Sequence, residues 1–304
     1  MKINATADRM HSHDFQLGLV GFPLAHSISP QIHQAALNRL KLPGNYQLFP
    51  VYPDHDGQIE LISMIAAIRQ RNLHGLNVTI PHKQTMMSLV DELTPTASAI
   101  GAINTVYFQA GKVVGENTDA PAFLKDLDHQ LGDFYPDQRC ALILGAGGSA
   151  RAVVFALASA GWTVYIAARR FEQAVRLQTE INVPSGEIHP IKYETNCFPQ
   201  SFHLLVNTTP LGMHPTVDET PWAENLPLPK ECRVYDLVYN PATTRLVKEA
   251  RQRGHRAVNG LGMLVEQAAL AFEIWTGQTA PRSEMVQAAS TALSQSNHQL
   301  SEMP

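Results

Sequence analysis

Cysteine is scarce in this chain: its 304 residues hold three, Cys140, Cys197 and Cys232, far apart and without a C-x-x-C pair. An odd, dispersed set excludes a disulfide framework and leaves inert thiols in a reducing compartment, so the expected location is the cytoplasm. Long apolar runs are also missing. None approaches the roughly 20 residues that a membrane-spanning helix needs, and residues 1–14, with Asp8, Asp14 and two histidines, lack the charged-then-apolar pattern of an export signal. No surplus of one charge is present either. A formal net charge of −4, with acids and bases interspersed, offers no positive field for a phosphate backbone, so nucleic acid is not expected as a partner. No metal is expected.

What is present is ample apolar material, 44% hydrophobic against 16% charged residues, enough for a sizeable core and for two domains of ordinary size. Residues 16–21 read as a buried strand ended by Gly21 and Pro23, and Ser29-Pro30 as a helix N-cap with proline at the first helical position, followed by an Ile32, Ala36, Leu40 stripe. A strand near 49–51, a helix over 59–69 and a strand over 75–80 continue the alternation of a parallel sheet. Two short runs at 104–108 and 112–115 around Ala110-Gly111 read as a hairpin. A linking helix over 123–131 then leads to strands at 140–144, 163–167, 203–207 and 233–237, the spacing of a doubly wound sheet. Residues 263–275 form an amphipathic helix that must pack on something. The ends, 1–14 and 291–304, read as polar tails.

The string at 145–150, GAGGSA, fits G-x-G-x-x-A directly after a strand and before an apolar helix. Gly145 permits a tight turn, Gly147 allows a pyrophosphate to approach the backbone, and Ala150 lets helix and strand pack closely, so Gly145, Ala146, Gly147, Gly148, Ser149 and Ala150 form a candidate dinucleotide cradle. The next strand lacks the carboxylate that holds an NAD ribose and ends instead in Arg169-Arg170. Two guanidinium groups there suit a 2'-phosphate, which favours NADP(H), with Arg151 assisting.

The first half carries polar residues at strand ends and in loops: Ser27, Ser29, Asn77, Thr79, Lys83, Asn104, Thr118 and Asp119. Taken singly, each has a plain structural role: Ser29 or Asp119 as a helix cap, Thr79 as a strand residue, Asn104 in a turn, Lys83 as a solvated charge. Their order along the chain says more. The strings GFPLAHSISP (21–30), NVTIPHK (77–83), GAINT (101–105), NTD (117–119), NTTPLGM (207–213), DLVYNP (236–241) and GLGMLVEQA (260–268) resemble, in sequence, the signatures of the shikimate dehydrogenase family.

That resemblance implies an α/β fold of two domains: an N-terminal substrate domain with a mainly parallel sheet, formed by residues 15–119 plus 260–290, and a Rossmann-type NADP-binding domain, residues 120–259, with the active site in the cleft between. It implies that Lys83 and Asp119 are the catalytic pair and that Ser27, Ser29, Asn77, Thr79, Asn104, Thr118, Tyr239 and Gln267 hold the hydroxyls and carboxylate of the substrate. It also places Thr208, Pro210, Leu237 and Gly260 beside the nucleotide. The implied reaction is reversible reduction of 3-dehydroshikimate to shikimate by NADPH, in the pathway to aromatic amino acids, by a monomer or homodimer. Reduction of a ketone needs such a pair independently, since the developing alkoxide must be stabilised and protonated. The chain departs from the family pattern at Ala120-Pro121-Ala122, where a glycine often follows the aspartate, and at Ala168-Arg169-Arg170, where Asn-Arg-Thr often stands. Two other readings remain open: an NAD(P)-dependent quinate/shikimate dehydrogenase, and a non-catalytic NADP-binding regulator.

Overall fold

In the computed structural model the described residues are 14–132, 134–223 and 226–301. The tail expected at 1–14 thus lies almost wholly outside them. The first unit runs β1 (Phe15–Gly21), α1 (Ser29–Arg39), β2 (Gly44–Pro50), α2 (His55–Arg69), β3 (Gly75–Val78), β4 (Glu92–Leu93), α3 (Pro95–Ile100), β5 (Thr105–Gln109) and β6 (Lys112–Glu116). Its sheet has the order β2-β1-β3-β5-β6-β4. β1 pairs parallel with β2 and β3, whereas β5 and β6 form the antiparallel hairpin. The hairpin turn needs two successive left-handed residues, supplied by Ala110 at φ 49° and Gly111 at φ 83°.

α4 (Asp119–Leu131) leads into β7 (Cys140–Leu144), α5 (Gly148–Ser159), β8 (Thr163–Ala168), α6 (Phe171–Glu180), β9 (Glu187–Lys192), β10 (Leu204–Asn207), β11 (Arg233–Asp236), α7 (Arg245–Gln252) and β12 (Ala257–Asn259), before α8 (Leu261–Thr276) and α9 (Arg282–Ser301) close the chain. The second sheet, β12-β11-β10-β7-β8-β9, is parallel throughout. This is the doubly wound order, in which the switch point between β7 and β10 opens a crevice at the strand ends.

Each sheet is covered on both faces. Alternation along β1 sends Leu17 and Leu19 to a core shared with α1, α8 and α9, and Val20 to one shared with α2 and β3. α4 and α5 cover one face of the second sheet through Phe123, Val153 and Leu157, while α7 covers the other through Leu246 and Val247. α8 therefore returns to the first sheet, with Ala268, Phe272 and Trp275 buried there.

One expectation is corrected here. Of the polar tail expected at 291–304, residues 291–301 continue α9, where Ala292 and Leu293 join Met285 and Ala289 in being buried on the first domain's core, and the rest lies outside the described residues. Four apolar residues at helical spacing suffice to anchor a helix whose remaining face is wet. Among the described residues no helix is long and apolar enough to cross a membrane, and the three cysteines are free thiols.

Candidate active site

Lys83 sits just beyond β3, its backbone carbonyl accepting from the Ile103 amide at 3.0 Å. Its ammonium reaches Asp119, at the first position of α4, with Nζ 2.5 Å from Oδ2 and side chains only 14% and 8% exposed. So little exposure removes most of the screening that makes surface ion pairs weak. The other carboxylate oxygen of Asp119 accepts from Asn104 Nδ2 at 2.8 Å. Its backbone amide donates to Asn117 Oδ1, and Asn117 Nδ2 donates to the Ala102 carbonyl, which pins the turn entering α4. The aspartate is thus oriented from three directions before any ligand arrives.

The plain structural roles open to these residues do not account for their placement. Neither Ser29 nor Asp119 caps its helix: the N-cap positions of α1 and α4 are Ile28 and Thr118, and neither makes a side-chain capping bond. The Ser29 hydroxyl instead meets that of Ser27 at 3.3 Å. Asn104 Oδ1 accepts from the Thr118 amide at 2.7 Å, and the Thr118 hydroxyl donates to the Gln267 carbonyl of α8 at 3.1 Å. The Gln267 amide oxygen lies 3.4 Å from Asn104 Nδ2. Asn77, Asn104, Thr118, Asp119, Lys83 and Gln267 therefore form one connected polar patch. Thr79 stands two residues beyond Asn77, where its methyl fills the space a Cβ on Gly21 would need.

The glycine turn faces the same place. A Cβ on Gly148 would lie 3.6 Å from Lys83 Cδ, so the first residue of α5 is in van der Waals reach of the lysine stem. Gly145 adopts φ 109°, and a Cβ there would strike Thr208 Oγ1 at 2.6 Å. Thr208 is itself tied to the Leu144 carbonyl at 2.7 Å across the switch point. Gly147, the N-cap of α5, brings no capping side chain, and a Cβ there would meet nothing within 4 Å. Free helix N-terminal amides before open space fit a pyrophosphate.

The loops after β10 and β11 are held from beneath. Asp236 is fully buried and accepts from Thr244 Oγ1 at 2.6 Å, Asn207 Nδ2 at 2.8 Å and the Val238 amide at 3.1 Å. Burial pushes its carboxyl up to about 6, against the pull of those three donors. The frame aims Thr208, Pro210, Leu237 and Tyr239. Gly260 packs on the Leu237 carbonyl so closely that a Cβ would come within 2.2 Å. Tyr239 reaches the first domain and packs against the core containing Leu24, Ile28 and Phe272.

Arg169 and Arg170 lie exposed at the end of β8, where Ala146 and the glycines begin one strand over. Arg151 is a correction. Its buried guanidinium turns inward, donating to the Ile100 carbonyl at 3.1 Å and to Glu180, and the Gln84 amide oxygen in its bonding orientation accepts from it as well. Those partners lie on α3, on α6 and in the segment after β3, so it fastens the two domains.

Sequence reasoning missed Thr105 and Tyr46. Thr105 is completely buried and links Asn77, Asn104 and Thr118 through its hydroxyl. Its position at the edge of an apolar run was a signal. Tyr46 donates to Asn77 Oδ1 at 2.8 Å, and nothing local in β2 marks it.

The chain matches the family model of the shikimate dehydrogenase substrate-binding domain over residues 19–106 and that of the shikimate 5'-dehydrogenase C-terminal domain over residues 260–289. It is 42% identical to a shikimate dehydrogenase (NADP(+)) of Desulforamulus reducens, over 87% of this chain and 90% of the relative. Its fold is similar to that of the Thermus thermophilus shikimate 5-dehydrogenase in complex with NADP(H) and shikimate, with TM-score 0.78, 36% identity and coverage of 92% and 100% of the two chains. A quinate dehydrogenase of Corynebacterium glutamicum in complex with NAD also superposes, with TM-score 0.81 and 28% identity over 91% and 99%.

Proposed function

The chain belongs to the shikimate dehydrogenase family, and from that premise we propose how its residues share the work. It is an NADP-dependent oxidoreductase acting on a CH–OH group, reducing 3-dehydroshikimate to shikimate. The observation that carries the division of labour is the buried contact of Lys83 with Asp119 opposite Gly148.

The free amides at the start of α5, together with the backbone of residues 145–150, hold the pyrophosphate of the nucleotide, and exposed Arg169 and Arg170 take its 2'-phosphate. Thr208, Pro210, Leu237 and Gly260 line the nicotinamide end. NADPH supplies the hydride. Lys83 places its ammonium at the carbonyl oxygen of the substrate, where it stabilises the growing negative charge and donates the proton. Asp119 holds that ammonium in place through their 2.5 Å contact. Ser27 and Ser29 offer hydroxyl donors to the substrate carboxylate, and Asn77, Thr79, Asn104, Thr118, Tyr239 and Gln267 surround the ring hydroxyls. In the reverse direction Lys83 takes the proton back. Residues 15–119 with the returning α8 and α9 serve as the substrate domain, residues 120–259 as the nucleotide domain, and the free thiols suit a cytoplasmic enzyme.

Purified protein is expected to consume NADPH, followed by absorbance, when 3-dehydroshikimate is added. Lys83→Ala should lose about a hundredfold or more in kcat while still binding NADP+. Matching traces with NADH, and with quinate in reverse, separate this reading from a quinate/shikimate dehydrogenase. No turnover with any of them would leave a nucleotide-binding regulator.

A further inference from the structure

Beneath the polar patch lies a pair of rings that the reaction does not use. His33, on α1, is completely buried, and among the described residues neither of its nitrogens has a hydrogen-bond partner. Burial pushes the imidazole down to about 3, against a smaller upward pull from the Asn77 amide, so the ring is neutral. It stacks face to face on Tyr46, with centroids 4.2 Å apart and planes 3° from parallel, and Trp275 leans on it from α8 at 5.4 Å. The neutral imidazole acts here as a flat surface. The phenol ring it supports carries one directed group, the hydroxyl that donates to Asn77 Oδ1 at 2.8 Å.

The Asn77 amide can be counted completely. Its two N–H donors go to the Asn104 carbonyl at 3.1 Å and to Thr105 Oγ1 at 3.2 Å. The Asn104 carbonyl can only accept, so the NH2 edge must face it and the oxygen edge must face Tyr46. The oxygen thus faces Tyr46, with the His33 ring also at the amide.

We propose that Tyr46, held flat by His33, is a positioning residue that locks the Asn77 amide so that it offers the substrate only its acceptor oxygen and no donor. Asn77 then recognises a ring hydroxyl and cannot serve the carboxylate, which falls to the hydroxyl donors Ser27 and Ser29. The inference rests on the reading of Asn77 as a substrate residue.

A double-mutant cycle tests it. Tyr46→Phe keeps the ring and its stack and removes only the hydroxyl, so KM for shikimate should rise about tenfold, the cost of one lost buried hydrogen bond, with kcat and the Kd for NADP+ within about twofold. In an Asn77→Ala background the same change should move KM by clearly less than about tenfold, leaving only what the hydroxyl does through Ser29. Among analogues carrying fluorine, which cannot donate, in place of a non-reacting hydroxyl, one should bind weakly to the unsubstituted protein and be indifferent to Tyr46→Phe. Additive effects in the cycle, loss of NADP+ affinity in Tyr46→Phe, or full affinity for every fluoro analogue would each overturn the proposal. Absence of shikimate turnover by the unsubstituted protein would instead sink the functional reading, and calorimetric binding of shikimate to the same four proteins would still report the coupling.

Discussion

At the scale of single residues, the best-defined electrostatic feature outside the reacting centre is Asp236. Its carboxyl is held at about 6 in the folded protein, against an ordinary 3.8, chiefly by burial. The folded state therefore binds this proton more tightly than the unfolded chain, and its contribution to stability is complete below about 3.8 and lost as pH rises to about 6. In that window the group adds a negative slope of up to about 1.4 kcal/mol per pH unit, flat above it. Urea unfolding at stepped pH is expected to show this slope in the unsubstituted protein and to lose it in Asp236→Asn. An identical pH dependence in both would mean that the three donors already hold Asp236 ionised through the window.

At the scale of elements, α4 and α8 carry site residues, and each has its first amide held by an asparagine two residues earlier. Ala120, where the family often has glycine, keeps its amide on Asn117 Oδ1 at 3.2 Å, and Pro121 occupies the third position of α4, where an amide would have had no partner inside the helix, so the departure costs that turn no hydrogen bond. α8 begins more tightly. Asp126 of α4 faces its N-terminus while accepting from Tyr235 Oη at 2.5 Å, and a Cβ on Gly262 would lie 1.9 Å from Asp126 Oδ1. Gly262 is the residue that lets α8 dock, and α8 carries Gln267. Gly262→Ala is expected to cost about 1–3 kcal/mol of stability, lowering Tm by several degrees in calorimetry and raising KM for the substrate more than for NADPH. An unshifted Tm would show that α8 is seated elsewhere.

At the scale of the whole molecule, the two sheets are joined by buried links, and Arg151 is the clearest. Sequence position suggested a phosphate contact, whereas its guanidinium spans from α5 to the Ile100 carbonyl at the end of α3, beside the Ala99 carbonyl that accepts from the Asn182 amide at 3.1 Å. Arg151→Met should therefore lower Tm and kcat by loosening the domains, with the Kd for NADP+ changed less than about twofold. Arg169→Ala, by contrast, should raise the KM for NADPH about tenfold or more through loss of a charge-assisted contact. Titration of NADP+ into both variants decides the matter. A large loss of affinity in Arg151→Met would restore it to the nucleotide site.

The short motifs were legible because their physics is local. A glycine turn between strand and helix, a hairpin around Ala110-Gly111 and the apolar period of α8 are each encoded within a few neighbouring residues. Weaker elements were not read: β9, with Pro190 inside it, and α7, with four charged residues in eight, take their form from the sheet and core they join. The amino-acid sequence by itself determined the alternation of strands and helices, the nucleotide turn with its two arginines in place of a carboxylate, and the set of polar residues from which a site could be drawn. Only the tertiary structure decided which of them meet. Lys83 and Asp119 are brought together by crossovers around a sheet whose order no local pattern states, Arg151 is turned away from the cleft by the packing of α5, and Tyr46 reaches Asn77 because β1 separates β2 from β3. Contacts of that kind depend on how whole elements stack, and that is set by burial summed over the chain.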